Sequence, residues 1–194
     1  MIEIQPNPSV AGNRRGFLGS TVKLSAVAVA VLAGRESLAQ GMSASPQDVS
    51  ILNVALGLEH EAIGAYQLGA ESGLLQKPAL GVAVLFQSHH KAHRDALAAT
   101  ITKLGGAPVM SKSLSDYAAA LNAGSLKSQT DVLSLAARLE MGAANAYLGV
   151  IPSFSDKQLA KVAGRLAADE TMHWTALAGA LGRPLPVSAL SFGA

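Results

Sequence analysis

From about residue 46 to residue 182, apolar side chains recur three and four positions apart in four long stretches, the spacing of one helix face. The first stretch starts at Ser45-Pro46, where serine suits an N-cap and proline the first turn. It carries Leu52, Ala55, Leu56, Ala62, Ile63 and Tyr66, and Gly73 stops it. The second opens at Pro78, carries Ala83, Phe86, Leu97, Ile101 and Leu104, and ends at Gly105-Gly106-Ala107-Pro108. A longer connection covers 109–127, with a short helix expected from Ser115 through Leu121, closed by Asn122-Ala123-Gly124. The third long helix begins near Ser128 or Thr130, carries Leu133, Ala136, Leu139, Ala143 and Tyr147, and stops before Pro152. The fourth begins at Ser155-Asp156, carries Leu159, Val162, Leu166, Leu177 and Leu181, and ends at Gly182-Arg183-Pro184. Helices of roughly 23 to 28 residues would be about 35–40 Å long. The connections after the first and third are short, so each pair should run antiparallel.

Polar groups interrupt these stripes on the apolar side. Glu59 falls between Ala55 and Ala62, and Glu140 between Ala136 and Ala143. His90 and His93 fall between Phe86 and Leu97, and Glu170 and His173 between Leu166 and Leu177. The arrangement is an internal repeat. Glu59 precedes Tyr66 by seven residues, as Glu140 precedes Tyr147. His90-x-x-His93 follows Glu59 by 31 residues, and Glu170-x-x-His173 follows Glu140 by 30. Residues three apart share a helix face, so each x-x pair can reach one point. Six such groups at mid-bundle are costly to bury unless they pair with one another or bind a metal. Both outcomes fit the pattern.

With these residues in place, the chain resembles the ferritin-like superfamily of dimetal carboxylate proteins, and in particular its exported ferritin-like domain members. The resemblance covers residues 46–182. It implies an all-α fold, a ferritin-like antiparallel four-helix bundle with a long crossover between the second and third helices. It also implies a metal site made by Glu59, His90, His93, Glu140, Glu170 and His173. The expected cofactor is iron as two ions, with manganese, zinc or copper as alternatives. O2 or peroxide would be the reacting partner, in iron oxidation or a related oxidative step. The alternative is a non-catalytic metal-binding or stress-related bundle with one ion or a degenerate site. One position departs from the family pattern: His90 stands where a bridging glutamate is usual.

Other polar residues near the motif receive plainer expectations. Tyr66 and Tyr147, two turns from the single glutamates, are core residues or hydrogen-bond donors to the ligands. Glu61 is solvated. His60 and His89 lie off the motif face, at the surface or, as the alternative, beside a ligand. Asp169 and Trp174 are packing or surface residues, and Arg94 and Asp95 exposed ions.

Composition alters the picture chiefly at the N-terminus. Asn13-Arg14-Arg15-Gly16-Phe17-Leu18-Gly19 reads as a twin-arginine export signal, followed by an apolar stretch from Val22 to Leu32 and a cleavage site after Ala39. That stretch is short for a membrane span, so no stable anchor is expected after cleavage. The implied location is periplasmic or extracellular. Residues 1–39 hold four of the fifteen basic side chains and two of the thirteen acidic ones, leaving eleven of each in a near-neutral remainder. With one tryptophan and no basic run, that remainder offers no nucleic-acid surface. There is no cysteine, so a domain of this length must stand on its core. Residues 40–45 read as a linker, 46–184 as the bundle and 185–194 as a tail. A homo-oligomer is possible on this reading, but not a twenty-four-subunit cage.

Overall fold

The computed structural model describes residues 45–193. The expected signal and most of the linker lie outside the described residues. Among the described residues there are five α-helices: α1 (Pro46–Glu71), α2 (Lys77–Lys103), the short α3 (Leu114–Ala120), α4 (Gln129–Val150) and α5 (Lys157–Ala180). Two single turns of tighter helix, Ala123–Ser125 and Ile151–Ser153, complete the order. No strand occurs among the described residues, and the architecture is the expected helical bundle. No helix among them is long and apolar enough to cross a membrane.

The helix starts follow from local chemistry. Ser45 caps α1 by accepting from the Asp48 N–H, with Pro46 in the first turn. Ser113 and Asp116 form a reciprocal capping box on α3. Ser128 and Asp156 cap α4 and α5. The proline within the 151–153 turn marks the end of α4, as Pro152 predicts. Gly105 and Gly182, with φ of 79° and 66°, take the left-handed geometry that releases the chain after α2 and α5.

The bundle consists of two helix hairpins, α1 with α2 and α4 with α5, and the sparser contact between hairpins runs through α1 and α4. The crossover lays α3 on the outside of α1. Tyr117 of α3 sits over Gly64, so close that a Cβ there would meet the ring at 2.7 Å. At the far end, buried Asp48 accepts the Ser155 N–H at 2.8 Å, and Gln47 donates to the Ser153 carbonyl at 3.0 Å. These bonds tie the start of α1 to the turn before α5.

The interior divides into two apolar clusters. One contains Leu52, Leu56, Leu97, Ile101, Tyr147, Leu159 and Leu166; the other Tyr66, Phe86, Leu133, Ala137, Trp174 and Leu177. On each long helix the polar motif lies between residues of the first cluster and residues of the second. The motif is therefore sandwiched at mid-bundle, with the first, lower cluster on one side and the second, upper cluster on the other.

Candidate metal centre

All six motif residues converge and are buried, none more than 7% exposed. His90 lies between the two single glutamates. Its Nδ1 is 2.8 Å from Glu59 Oε2, and its Nε2 is 3.2 Å from Glu140 Oε1. His93 turns Nδ1 toward Glu170 Oε1 at 3.3 Å and Glu59 Oε1 at 3.6 Å. His173 turns Nδ1 toward Glu170 Oε2 at 3.0 Å and Glu140 Oε2 at 3.4 Å. Two overlapping quartets result: Glu59, His90, His93 and Glu170 on one side, and His90, Glu140, Glu170 and His173 on the other. Within each, the candidate ligand atoms all lie within 4.8 Å of one another. Either group can hold a metal ion, and His90 and Glu170 belong to both.

The tyrosines cross between the halves of the repeat. Tyr66 on α1 donates to Glu140 on α4, and Tyr147 on α4 donates to Glu59 on α1. Both hydroxyls are buried against carboxylates, which pushes their acidity well below that of a free phenol.

The outward nitrogens of the two x-x histidines are held as well. His93 Nε2 contacts Asp169 Oδ2 at 3.2 Å, and His173 Nε2 contacts His89 Nδ1 at 2.9 Å. Asp169 and His89 each precede the first residue of the opposite motif, so they are equivalent positions of the repeat. Of the positions expected for them, His89 takes the one beside a ligand and Asp169 the packed one. The missed signal was in the repeat: a residue just before each motif faces the neighbouring helix, one helical step from the stripe. Trp174 is buried in the upper cluster, edge-on to Phe192. His60 stands apart from the centre and contacts the Val109 carbonyl at 3.1 Å. Arg94 pairs with its neighbour Asp95 near the surface.

Burial alone would raise the Glu59 carboxyl, but the hydrogen bond from His90 and the nearby His93 imidazolium outweigh it and hold the group at about 2. Glu140 is lowered too, because His173 and His90 overcome its burial. Glu170 goes the other way: burial dominates and raises it despite His173 and His93. Burial would neutralise the imidazoles, yet the carboxylates prevail. Bonds to Glu140 and Glu59 raise His90 to about 10, and His93 and His173 are raised likewise. Glu170 is thus the carboxylate most ready to carry a proton when no cation is bound.

Internal pairing does not satisfy the whole cluster. His93 Nδ1 and Glu170 Oε1 are buried with no hydrogen-bond partner, although they lie 3.3 Å apart. Two potential ligand atoms facing one space without bonding suit a shared cation better than mutual pairing. The donor set of three carboxylates and three imidazoles suits iron, manganese, zinc or copper. The residues present therefore fit the metal that such a bundle implies.

No curated protein sequence matches the chain. Among solved structures, a conserved hypothetical protein of Mycobacterium tuberculosis superposes with a TM-score of 0.61 at 20% identity, over 74% of this chain and 95% of that one. That likeness concerns the fold. The sequence family described as the ferritin-like domain matches residues 47–183, which takes in all four long helices and every motif residue. The chain belongs to the ferritin-like domain family.

Proposed function

We propose that the chain is an exported metalloprotein that holds two transition-metal ions in its bundle core and uses them in oxidative chemistry with O2 or peroxide. Glu59, His93 and Glu140, His173 would be the two sets of terminal ligands, and Glu170 would serve both ions. The observation that carries this reading is the pair of overlapping buried quartets, the first of which holds the unpartnered His93 Nδ1 and Glu170 Oε1. When bound, a pair of redox metals supplies two one-electron changes to a single small oxidant. The chain's own residues hold and orient that pair. Tyr66 and Tyr147 fix the single glutamates, Asp169 and His89 fix the outward nitrogens of the histidines, and the apolar clusters keep bulk water away. Export in the folded state by the twin-arginine route accords with loading before transport.

His90 supports a second reading, a single-ion module without turnover. An imidazole nitrogen binds one metal, whereas a glutamate in that position can bridge two.

Metal analysis of the purified exported form distinguishes the two. Two equivalents of iron or manganese with spectral changes on adding peroxide would support the first. One equivalent of zinc or copper, spectrally silent to peroxide, would support the second. Glu170→Ala should lose bound metal in either case while keeping its helix content. Unchanged metal in that variant would sink both.

A further inference from the structure

A pocket of about 270 Å³ opens between α1 and α4 and reaches the motif from the side of the upper cluster. Its lining is mostly apolar and includes the small residues Ala62, Ala65 and Gly69 of α1 and Ala136 and Ala143 of α4, together with Glu61. Tyr66, His90 and Glu140 lie at its buried end, and exposed Arg138 stands at its mouth.

Two observations separate this pocket from loose packing. Stripe positions of α1 and α4 should be buried, yet Ala62, Ala136 and Ala143 are only half-buried, and all three line the pocket. The second comes from the repeat. At the opposite end of the bundle, Leu159 and Val162 are 3% and 9% exposed and fill the core. Their counterparts eighty residues earlier are Ala79 and Val82, both lining the pocket, with Val82 40% exposed. Where Leu159 fills one end of this near-symmetric bundle, Ala79 leaves room at the other.

We propose that this pocket binds a small, uncharged, mainly apolar molecule carrying one hydroxyl, such as a phenol or a short alcohol, and presents that hydroxyl to Tyr66. The volume lies just below the usual range for small-molecule sites, roughly 300–1,000 Å³, and excludes a helix or a long acyl chain. The lining is mostly apolar, so a charged ligand would give up hydration that these walls do not replace, and an uncharged one is favoured. Tyr66 donates to Glu140, so the tyrosine oxygen itself retains acceptor capacity for one more hydroxyl. Tyr66 is not among the proposed metal ligands, so pocket occupancy and metal content are read separately.

The test is titration of the purified full chain with 1-naphthol, followed by its fluorescence, with metal content measured in parallel. One saturable site per chain is expected. Ala79→Leu restores the residue of the closed end, far from the motif. Ala136→Leu narrows the pocket from the opposite wall. Each should weaken binding by about tenfold or more through overpacking, with helix content and bound metal unchanged. If one variant fails to fold, the other decides. Absence of saturable binding, or wild-type affinity in a folded filling variant, would overturn the proposal. Displacement of 1-naphthol by an equal concentration of octanoate would overturn the uncharged class.

Discussion

The hydroxyl of Tyr147 donates to the carboxylate of Glu59, 88 residues earlier in the chain, and Tyr66 does the same for Glu140 from the other hairpin. Each half of the repeat thus supplies the tyrosine that orients the other half's glutamate. Neither hairpin has a complete centre alone. Sequence spacing gives the tyrosines their faces, but not this crossing, because it depends on how the hairpins pack.

Tyr147→Phe keeps the ring and removes one donor from a buried carboxylate. Metal-free protein should lose about 1.5–3 kcal/mol in denaturant titration, the range for a hydrogen bond to a charged group. Tyr66→Phe should behave alike. Glu59 and Glu140 both contact His90, so the two losses are coupled, and the double variant should depart from their sum by about 0.5 kcal/mol or more. Strict additivity would mean that His90 does not link the halves.

His90 is the one motif position where the halves differ. In metal-free protein its imidazolium lies between Glu59 and Glu140. His90→Glu removes that cation and adds a fourth buried carboxylate. The metal-free variant should lose about 3–5 kcal/mol, the cost of breaking buried ion pairs. Carboxylates favour manganese and iron more than imidazole does, so the same variant should take up more of either ion per chain. Metal counting after loading checks this. A variant with no more manganese or iron than wild type would show that position 90 does not limit occupancy.

The long helices and the six motif residues were legible because two periodicities coincide. Leu52, Phe86, Leu133 and Leu166 mark the buried faces, and Glu59, His90, Glu140 and Glu170 sit in the same stripes. Periodicity gives which side of a helix is buried, not which neighbour it meets. It therefore leaves His89 and Asp169 open between the surface and a supporting position, whereas in the fold each reaches a histidine on the facing helix. The half-exposed alanines Ala62, Ala136 and Ala143 escaped for a related reason. A stripe pattern does not register whether small residues on two facing helices close the gap between them.

The charge pattern of the metal-free centre predicts a stability optimum in pH. Glu59 is depressed from 4.5 to about 2, so its stabilisation is complete above its ordinary value and lost as pH falls through about 2. Glu140 and Asp169 act in the same direction. Glu170, whose carboxyl is raised, gains on acidification and offsets part of that loss. His90 is raised from 6.5 to about 10, so its contribution is complete below its ordinary value and lost as pH rises through about 10, with His93 and His173 following it. His89, lowered by burial and by His173, slightly favours the alkaline side. The Tm of metal-free protein should peak between about pH 4.5 and 6.5 and fall on both sides. A Tm that rises steadily from pH 6 to 9 would contradict the imidazolium–carboxylate assignment.

Two glycines of α1 should respond to alanine with opposite signs. Replacing an interior helical glycine by alanine gains up to about 1 kcal/mol, because alanine restricts the unfolded chain and favours helix. At Gly57 nothing lies within 4 Å of the added Cβ, so the full gain is expected. At Gly64 the same Cβ would sit 2.7 Å from Tyr117 Cδ2. That ring is buried, and its hydroxyl accepts the Lys112 N–H at 3.1 Å, so it has little freedom to retreat. Overpacking of this kind costs about 1–3 kcal/mol and should outweigh the helix gain. Gly57→Ala should therefore raise the unfolding midpoint and Gly64→Ala lower it, although both change the same helix by one methyl group. The Gly64 loss should be relieved by Tyr117→Ala in the same chain, because the crossover would no longer press on that position. A Gly64→Ala variant as stable as Gly57→Ala would mean that α3 does not dock on α1 at Tyr117.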